Sequence, residues 1–405
     1  MKYVVVLGDG MADWKIESLG GKTCREYART PNIDRLAPLS EAGMFRTVPE
    51  GFKPGSDVAN MSVMGFNPKK YYTGRSPLEA VAMGIGLKDT DVTLRANLVT
   101  LAGDGAYEEK TMADYSAGEI TTKEARELIE YLKKELDGDG FTLYPGISYR
   151  HCLVAENGQT GHELTPPHDI SDKKITDYLP KGRCADRYLA LMKRSYELLK
   201  DHPVNVARVK AGKNPANSLW LWGEGTKPML ENFTQKTGLK GGVISAVDLV
   251  KGISILAGMK FIPVEGATGN YDTNFKAKAE AAADALICGG LDYVYIHMEA
   301  PDECGHHGDV EHKVFSIEQI DGLVVKTLTE RLKAAGEDFC MLICPDHPTP
   351  CAIKTHISDP VPYLLYCSKT NLSNGATRYT EDEAAATGKF ISEGYTLIDR
   401  MLSIK

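Results

Sequence analysis

The sequence lacks long apolar runs, paired cysteines and basic stretches, and each absence removes a class of function. None of its 405 residues belongs to a run approaching the ~20 consecutive apolar residues that a membrane-spanning helix needs. The opening Met-Lys-Tyr-Val-Val-Val-Leu-Gly-Asp-Gly has one lysine and an apolar run cut short at Gly8 and Asp9, too short for a signal-peptide core. Lys and Arg number 47 against 55 Asp and Glu, a net charge of −8, and no Lys/Arg-rich stripe is available to neutralise a nucleic-acid backbone. An anionic substrate would therefore need locally concentrated positive charge. The nine cysteines are odd in number, irregularly spaced and form no CxxC pair, the pattern of reduced thiols in a cytosolic protein. There is no fixed-period repeat and no low-complexity segment. These absences predict a soluble, cytoplasmic protein with no membrane and no nucleic-acid partner, and they leave the oligomeric state open.

What is present is a core-forming composition, 42% hydrophobic and 25% charged, in a chain longer than one core usually organises. Residues 3–7 form a continuous β-branched and apolar run, as expected of a strand covered on both faces in a parallel sheet. Similar strands are predicted at 242–245, 260–264, 293–297, 339–344 and 362–367, and helices at 246–256, 274–288 and 314–335. This alternation predicts an α/β fold, a doubly wound and mostly parallel sheet that binds ligands at the carboxyl ends of its strands. The segment 91–225 differs. It mixes helices at 121–136 and 185–199 with short strands at 97–101, 152–154 and 218–222, heavily punctuated by Gly, Pro and Asp. It predicts an α+β domain inserted between two halves of the core, 1–90 and 226–405, with hinges at 84–90 and 223–228.

Chemistry-bearing residues gather at the predicted strand ends. Asp302-Glu-Cys-Gly-His306-His307-Gly-Asp309 follows the strand ending at His297, and Asp346-His347 follows the strand ending at Cys344, with His356 further on. Carboxylates and imidazoles presented from strand-end loops suit Zn²⁺ or Mn²⁺. Asp9, after the first strand, is equally consistent with a simple Asp-Gly turn. Three acidic groups at three strand ends can also converge, and two divalent ions would then offset their repulsion. Residues 53–62 bring hydroxyls to a loop before a short apolar segment. There Ser56 is either a helix N-cap or a group beside a phosphate-binding helix start.

In these motifs the chain resembles the archaeal-type cofactor-independent phosphoglycerate mutases of the alkaline phosphatase superfamily. Gly8-Asp9-Gly10 looks like that family's first metal loop, and Pro54-Gly-Ser56-Asp-Val-Ala-Asn60-Met-Ser62 like its nucleophile loop. Asp302 and His306 fit its DxxxH pair and Asp346-His347 its DH pair. The segment from Thr355 to Pro362, with His356, fits its last histidine segment. The resemblance implies an alkaline phosphatase-like core and two divalent ions (Mn, Zn, Co or Mg), with no organic cofactor. One ion would be held by Asp302, His306 and His356, the other by Asp9, Asp346, His347 and the Ser56 oxygen, with His307 beside them in a supporting role. It further implies that Ser56 is phosphorylated by 3-phosphoglycerate and returns the phosphate to the 2-hydroxyl of glycerate in glycolysis and gluconeogenesis, while the inserted domain grips the substrate and closes over the site. Cations near the matching segments, Arg75, Arg150, Arg208 and Lys251, are candidates for holding the small phosphorylated hydroxy acid. Asp114 and His151 are candidate proton carriers. Within the same superfamily the competing expectations are transfer to another hydroxy acid, as in a homoserine kinase, and a metal-dependent phosphatase.

Overall fold

The computed structural model describes residues 1–404. By internal contacts the chain divides into two compact units, residues 1–72 with 229–405, and residues 73–228. Its strands in chain order are β1 (Lys2–Gly8) and β2 (Glu41–Phe45), then β3 (Val92–Ala102), β4 (Thr111–Asp114), β5 (Phe141–Tyr144), β6 (Arg150–Ala155) and β7 (Ser218–Thr226) in the inserted unit. β8 (Gly241–Ile244), β9 (Lys260–Phe261), β10 (Tyr293–Met298), β11 (Phe339–Cys344), β12 (Val361–Cys367) and β13 (Phe390–Ile391) complete the first unit.

The first unit is α/β. Its eight strands run in the order β13-β2-β12-β11-β1-β10-β8-β9, with β1 central and parallel to both β10 and β11. Every residue of β10 and β11 is buried, which is why these segments read as unbroken apolar runs rather than alternating ones. Val4, Val6, Ile296 and Ile343 face one layer of core with the helix Phe275–Ile287. On the other face the Tyr293 ring meets Phe233, and the Tyr295 hydroxyl reaches the helix Ser56–Val63. β12 is the exception to parallel order: it runs antiparallel to both β11 and β2. β2 and β13 were not expected, since short edge segments carry little periodic signal.

Two expected elements differ in form. The helix at 314–335 is instead Val310–Gln319, a π-helical turn over Ile320–Val325, and Lys326–Ala334. At that turn the Asp321 carboxylate accepts the backbone N–H groups of Asn32 and Ile33, which start the helix Pro31–Leu36. A single inserted residue of this kind is invisible to a 3.6-residue pattern. Likewise 302–307 is not a loop, because Asp302, His306 and His307 lie on the helix Ala300–His307.

The second unit is a five-stranded antiparallel sheet in which β3 pairs with β4, β6 and β7, and β5 pairs with β6. Alternate β3 residues Leu94, Ala96 and Leu98 share one core with Leu128, Leu132 and Met192 from the helices Thr122–Leu136 and Ala185–Leu199. The unit boundaries fall at 72/73 and 228/229 rather than at 90/91 and 225/226. The helix Ser76–Ala82 packs on β3 and β7, and Thr73 Oγ1 donates to the Thr226 carbonyl, so residues 73–90 belong with the insertion. All nine cysteines are free, and no helix among the described residues is long and apolar enough to cross a membrane.

Candidate active site

Three neighbouring parallel strands deliver the site. β1 ends at Gly8 and presents Asp9; β10 ends at Met298 and leads into the helix bearing Asp302 and His306; β11 ends at Cys344 and presents Asp346 and His347. Register places Leu7 beside both His297 and Cys344, so the three chain exits lie at one edge of the sheet. Gly10 makes their approach possible. It adopts a left-handed φ of 59° and donates its N–H to Asp346 Oδ1 at 3.1 Å. A Cβ there would lie 2.5 Å from Asp302 Oδ1.

The residues form one continuous cluster. His306 Nε2 and His356 Nε2 lie 3.3 and 3.4 Å from the two Asp302 oxygens and 2.8 Å from each other. His347 Nε2 lies 3.5 Å from Asp9 Oδ1, 3.4 Å from Asp346 Oδ2 and 3.1 Å from Ser56 Oγ. Ser56 is the first residue of its helix and Gly55 holds the cap position, so the serine hydroxyl is turned to His347 instead of capping its own helix. Two sets of donors come close enough to share an ion: Asp302, His347 and His356, and Asp9, Asp346 and His347.

Electrostatics favours a cation here. Asp9, Asp302 and Asp346 are all buried, and Asp9 Oδ1 has no hydrogen-bond partner. Burial, then the charges of Asp346 and Asp302, push the Asp9 carboxyl well above its ordinary range. Burial would raise Asp302 too, but hydrogen bonds from His306 and His356 outweigh it and hold that carboxyl well below the usual range. The Asp302 hydrogen bond in turn lifts His306 to about 9 against the effect of its burial, and burial lowers His347. Buried carboxylates without matching positive charge are expensive, and an orphaned oxygen among imidazoles is a donor set that fits divalent Mn, Zn, Co or Mg. A further group, Asp13, Cys24 and Cys351, resembles a metal site only in outline. There the buried Lys313 ammonium, 2.8 Å from Asp13 Oδ2, already supplies the positive charge.

The remaining sequence candidates separate. His307 is exposed and bonds the Glu303 carbonyl of its own helix, not the cluster. Lys251 is half-buried, its ammonium 5.4 Å from the centre of the Phe261 ring. In the inserted unit Arg75 and Arg150 share surroundings with a residue that sequence reasoning missed, Arg95. Glu79 accepts from Arg75 Nε at 2.8 Å and pairs with Arg95 Nε at 2.9 Å, while the Arg95 guanidinium stacks on Trp222 and that of Arg150 on Tyr149. Burial would raise Glu79, but Arg95 and Arg75, with Arg150 behind them, keep it below its ordinary value. One carboxylate among three guanidiniums leaves a net positive cluster.

Arg208, Asp114 and His151 are each engaged by partners within the inserted unit. Arg208 is buried and spends its N–H groups on Glu124, the Asn214 carbonyl and the Ala117 carbonyl. Asp114 closes its own turn by accepting from Ser116 and Gly118 and is tied to Asn214. His151 is buried, takes the Gly146 N–H on Nδ1, and is held by burial down to about 3, too weak a base to carry a proton near neutrality.

Sequence reasoning also missed the groups that hold the cluster's carboxylates. Asn60 Nδ2 donates to Asp346 Oδ2 at 2.8 Å and to the Ser56 carbonyl at 2.9 Å, and Asn60 Oδ1 accepts from the Tyr295 hydroxyl. Thr349 Oγ1 donates to Asp302 Oδ1, and His297 Nε2 lies 2.8 Å from Asp9 Oδ2. A polar residue inside an otherwise apolar strand, as with His297 in β10, was the available signal.

Comparison with known proteins agrees in family and extent. Residues 37–205 match the family described as 2,3-bisphosphoglycerate-independent phosphoglycerate mutase. A probable 2,3-bisphosphoglycerate-independent phosphoglycerate mutase of Geobacter sulfurreducens is 48% identical over 402 residues, covering 99% of this chain and 100% of its own. The corresponding mutase of Methanosarcina barkeri is 47% identical, covering 95% of each chain. Among solved structures, a Pyrococcus horikoshii protein matches with a TM-score of 0.82 at 29% identity, over 99% of this chain and 96% of its own. The cofactor-independent phosphoglycerate mutase of Thermoplasma acidophilum matches with a TM-score of 0.67 at 25% identity over the whole of both chains.

Proposed function

The chain belongs to the archaeal-type 2,3-bisphosphoglycerate-independent phosphoglycerate mutases, and from that premise we propose that it interconverts 3-phosphoglycerate and 2-phosphoglycerate through a phosphorylated Ser56. The observation that carries this reading is the Ser56 hydroxyl, at the start of its helix and 3.1 Å from His347 Nε2 within a cluster of buried carboxylates and imidazoles. Two divalent ions are the cofactors, one held by Asp302, His306 and His356, the other by Asp9, Asp346, His347 and Ser56. When bound, such ions lower the cost of the serine alkoxide and of charge on the transferring phosphoryl group.

The chain's own groups do the rest. The helix beginning at Ser56 fixes its oxygen beside the cluster, and its N-terminal N–H groups favour a phosphate there. Attack on phosphorus forms the Ser56 Oγ–P bond and breaks the bond to the glycerate 3-oxygen, which takes up the serine's proton. Glycerate then turns, and its 2-hydroxyl recovers the phosphate by the same exchange in reverse. Arg75, Arg95 and Arg150, organised by Glu79, make the inserted unit the substrate-gripping part, since guanidiniums match carboxylate and phosphate bidentately. Excluding water while glycerate turns is what distinguishes a mutase from a phosphatase. The reaction assigns the protein to glycolysis and gluconeogenesis in the cytoplasm.

The test is direct. Metal-loaded protein given 3-phosphoglycerate, without bisphosphoglycerate, should form 2-phosphoglycerate; release of inorganic phosphate without the isomer would reject the mutase. Ser56→Ala should abolish transfer and leave metal content nearly unchanged, and an active Ser56→Ala protein would reject the nucleophile.

A further inference from the structure

We propose that His297 is a positioning residue that makes Asp9 a one-oxygen metal ligand. The inference rests on the reading of Asp9 as a ligand and extends it to a group outside the ligand set. Asp9 sits at the end of the central strand with one oxygen engaged and the other free. Oδ2 is 2.8 Å from His297 Nε2, and the buried Oδ1 has no hydrogen-bond partner.

The proton arrangement follows from the next link. Ser245, just past the end of β8, accepts the Val247 N–H on its Oγ at 3.0 Å and lies 3.3 Å from His297 Nδ1. In the tautomer proposed, the serine hydroxyl, which keeps a hydrogen to give while its oxygen accepts that N–H, donates to Nδ1. The imidazole then carries its hydrogen on Nε2 and donates it to Asp9 Oδ2. Lys278 Nζ donates to the His297 carbonyl at 3.2 Å and holds the strand end in place. The hydrogen bond occupies Oδ2 and turns Oδ1 toward His347.

The placing of the donors is what marks this as support for an ion. Asp346 Oδ2 takes an amide from Asn60, and Asp302 Oδ1 takes a hydroxyl from Thr349. Asp9 Oδ2 takes the His297 imidazole. Each carboxylate is thereby oriented by a side chain outside the proposed ligand set. Asp13, buried nearby on the same loop, contrasts with them: it is paired with the Lys313 ammonium and has no charge left to offer an ion. An ammonium at position 297 would do the same to Asp9. Partners of this outer kind typically change metal affinity by about 10–100-fold when removed.

Calorimetric titration of the full-length, metal-free protein with Mn²⁺ tests the proposal. His297→Leu should weaken one of the two binding events by about 10–100-fold and leave the other unchanged, because Asp9 serves only one ion. His297→Gln, which can still present an amide N–H to Oδ2, should restore most of the loss. Ser245→Ala should weaken the same event to a lesser degree. In the Co²⁺-loaded proteins, only the absorption of the affected ion should shift in His297→Leu. Unchanged Mn²⁺ affinity in His297→Leu, equal weakening of both events, or a Gln variant no better than Leu would overturn the role. If His297→Leu does not fold, the Gln and Ser245→Ala titrations decide, and two unaltered events in Ser245→Ala would overturn the relay. A native protein that binds no metal would overturn the ligand reading itself, an outcome distinct from any of these.

Discussion

Asn60 ties the nucleophile helix to the metal cluster, and replacing it with leucine, similar in volume but unable to hydrogen-bond, should reveal what that tie is worth. The side chain is fully buried and makes three hydrogen bonds, two from Nδ2 to Asp346 Oδ2 and the Ser56 carbonyl and one accepted by Oδ1 from Tyr295. The variant strands the Tyr295 hydroxyl, which is buried and has nowhere else to turn, at about 1–3 kcal/mol. It also removes the amide from a buried carboxylate oxygen, a bond of the charge-assisted class at about 1.5–3 kcal/mol, part of which His347, 3.4 Å away, can replace. Together these give a loss of roughly 2–5 kcal/mol, confined to the unit formed by 1–72 and 229–405. Denaturant unfolding of the metal-free protein, followed by probes in each unit, should show that unit's transition moving to lower denaturant while the other stays. In a Tyr295→Phe background no hydroxyl is stranded, so the same change should cost less, and the double-mutant cycle isolates that share. A loss below about 1 kcal/mol, or no coupling to Tyr295, would refute the account.

Other expectations are as specific. Gly10→Ala would put a left-handed alanine, about 1–2 kcal/mol strained, against Asp302, so Mn²⁺ affinity measured by calorimetry should fall at least about tenfold. Arg208→Leu should destabilise the inserted unit by about 2–3 kcal/mol, at roughly 1 kcal/mol for each of three hydrogen bonds, with KM for phosphoglycerate unchanged. A raised KM in a protein of native stability would return Arg208 to the substrate site. His151 has a folded pKa lowered to about 3 from 6.5, so below pH 6.5 the unfolded chain takes up the proton first and stability drains away as pH falls toward 3. His151→Gln should make that decline shallower by up to about 1.4 kcal/mol per pH unit, measured by thermal unfolding between pH 6.5 and 4, and an unchanged slope would place the acid sensitivity elsewhere.

The cluster of carboxylates and imidazoles was legible in the sequence because most of its members follow strand ends, and strand ends are announced by where an apolar run stops. Asp9 after residues 3–7 and Asp346-His347 after residues 339–344 needed only that local signal. So did the α/β class, since strands buried on both faces are apolar at nearly every position. Substrate-side reasoning from the same sequence was weaker. Arg208 and Arg95 look alike as letters, yet one guanidinium closes a helix and a turn and the other stacks on Trp222 beside Glu79. A cation's role depends on which partners reach it, and those partners come from β7 and from helices distant in the chain.

The unit boundary shows the same limit, because residues 73–90 joined the insertion through packing on β3 and β7 that no local composition reveals. The sequence by itself determined the residue types at the sheet's carboxyl edge, through local periodicity and the chemistry of those residues. Only the tertiary structure decided how each carboxylate is held, because His297, Asn60 and Thr349 reach Asp9, Asp346 and Asp302 by hydrogen bonds, two of them across more than 280 residues of chain, and of the three only Asp9 keeps a buried oxygen without a hydrogen-bond partner.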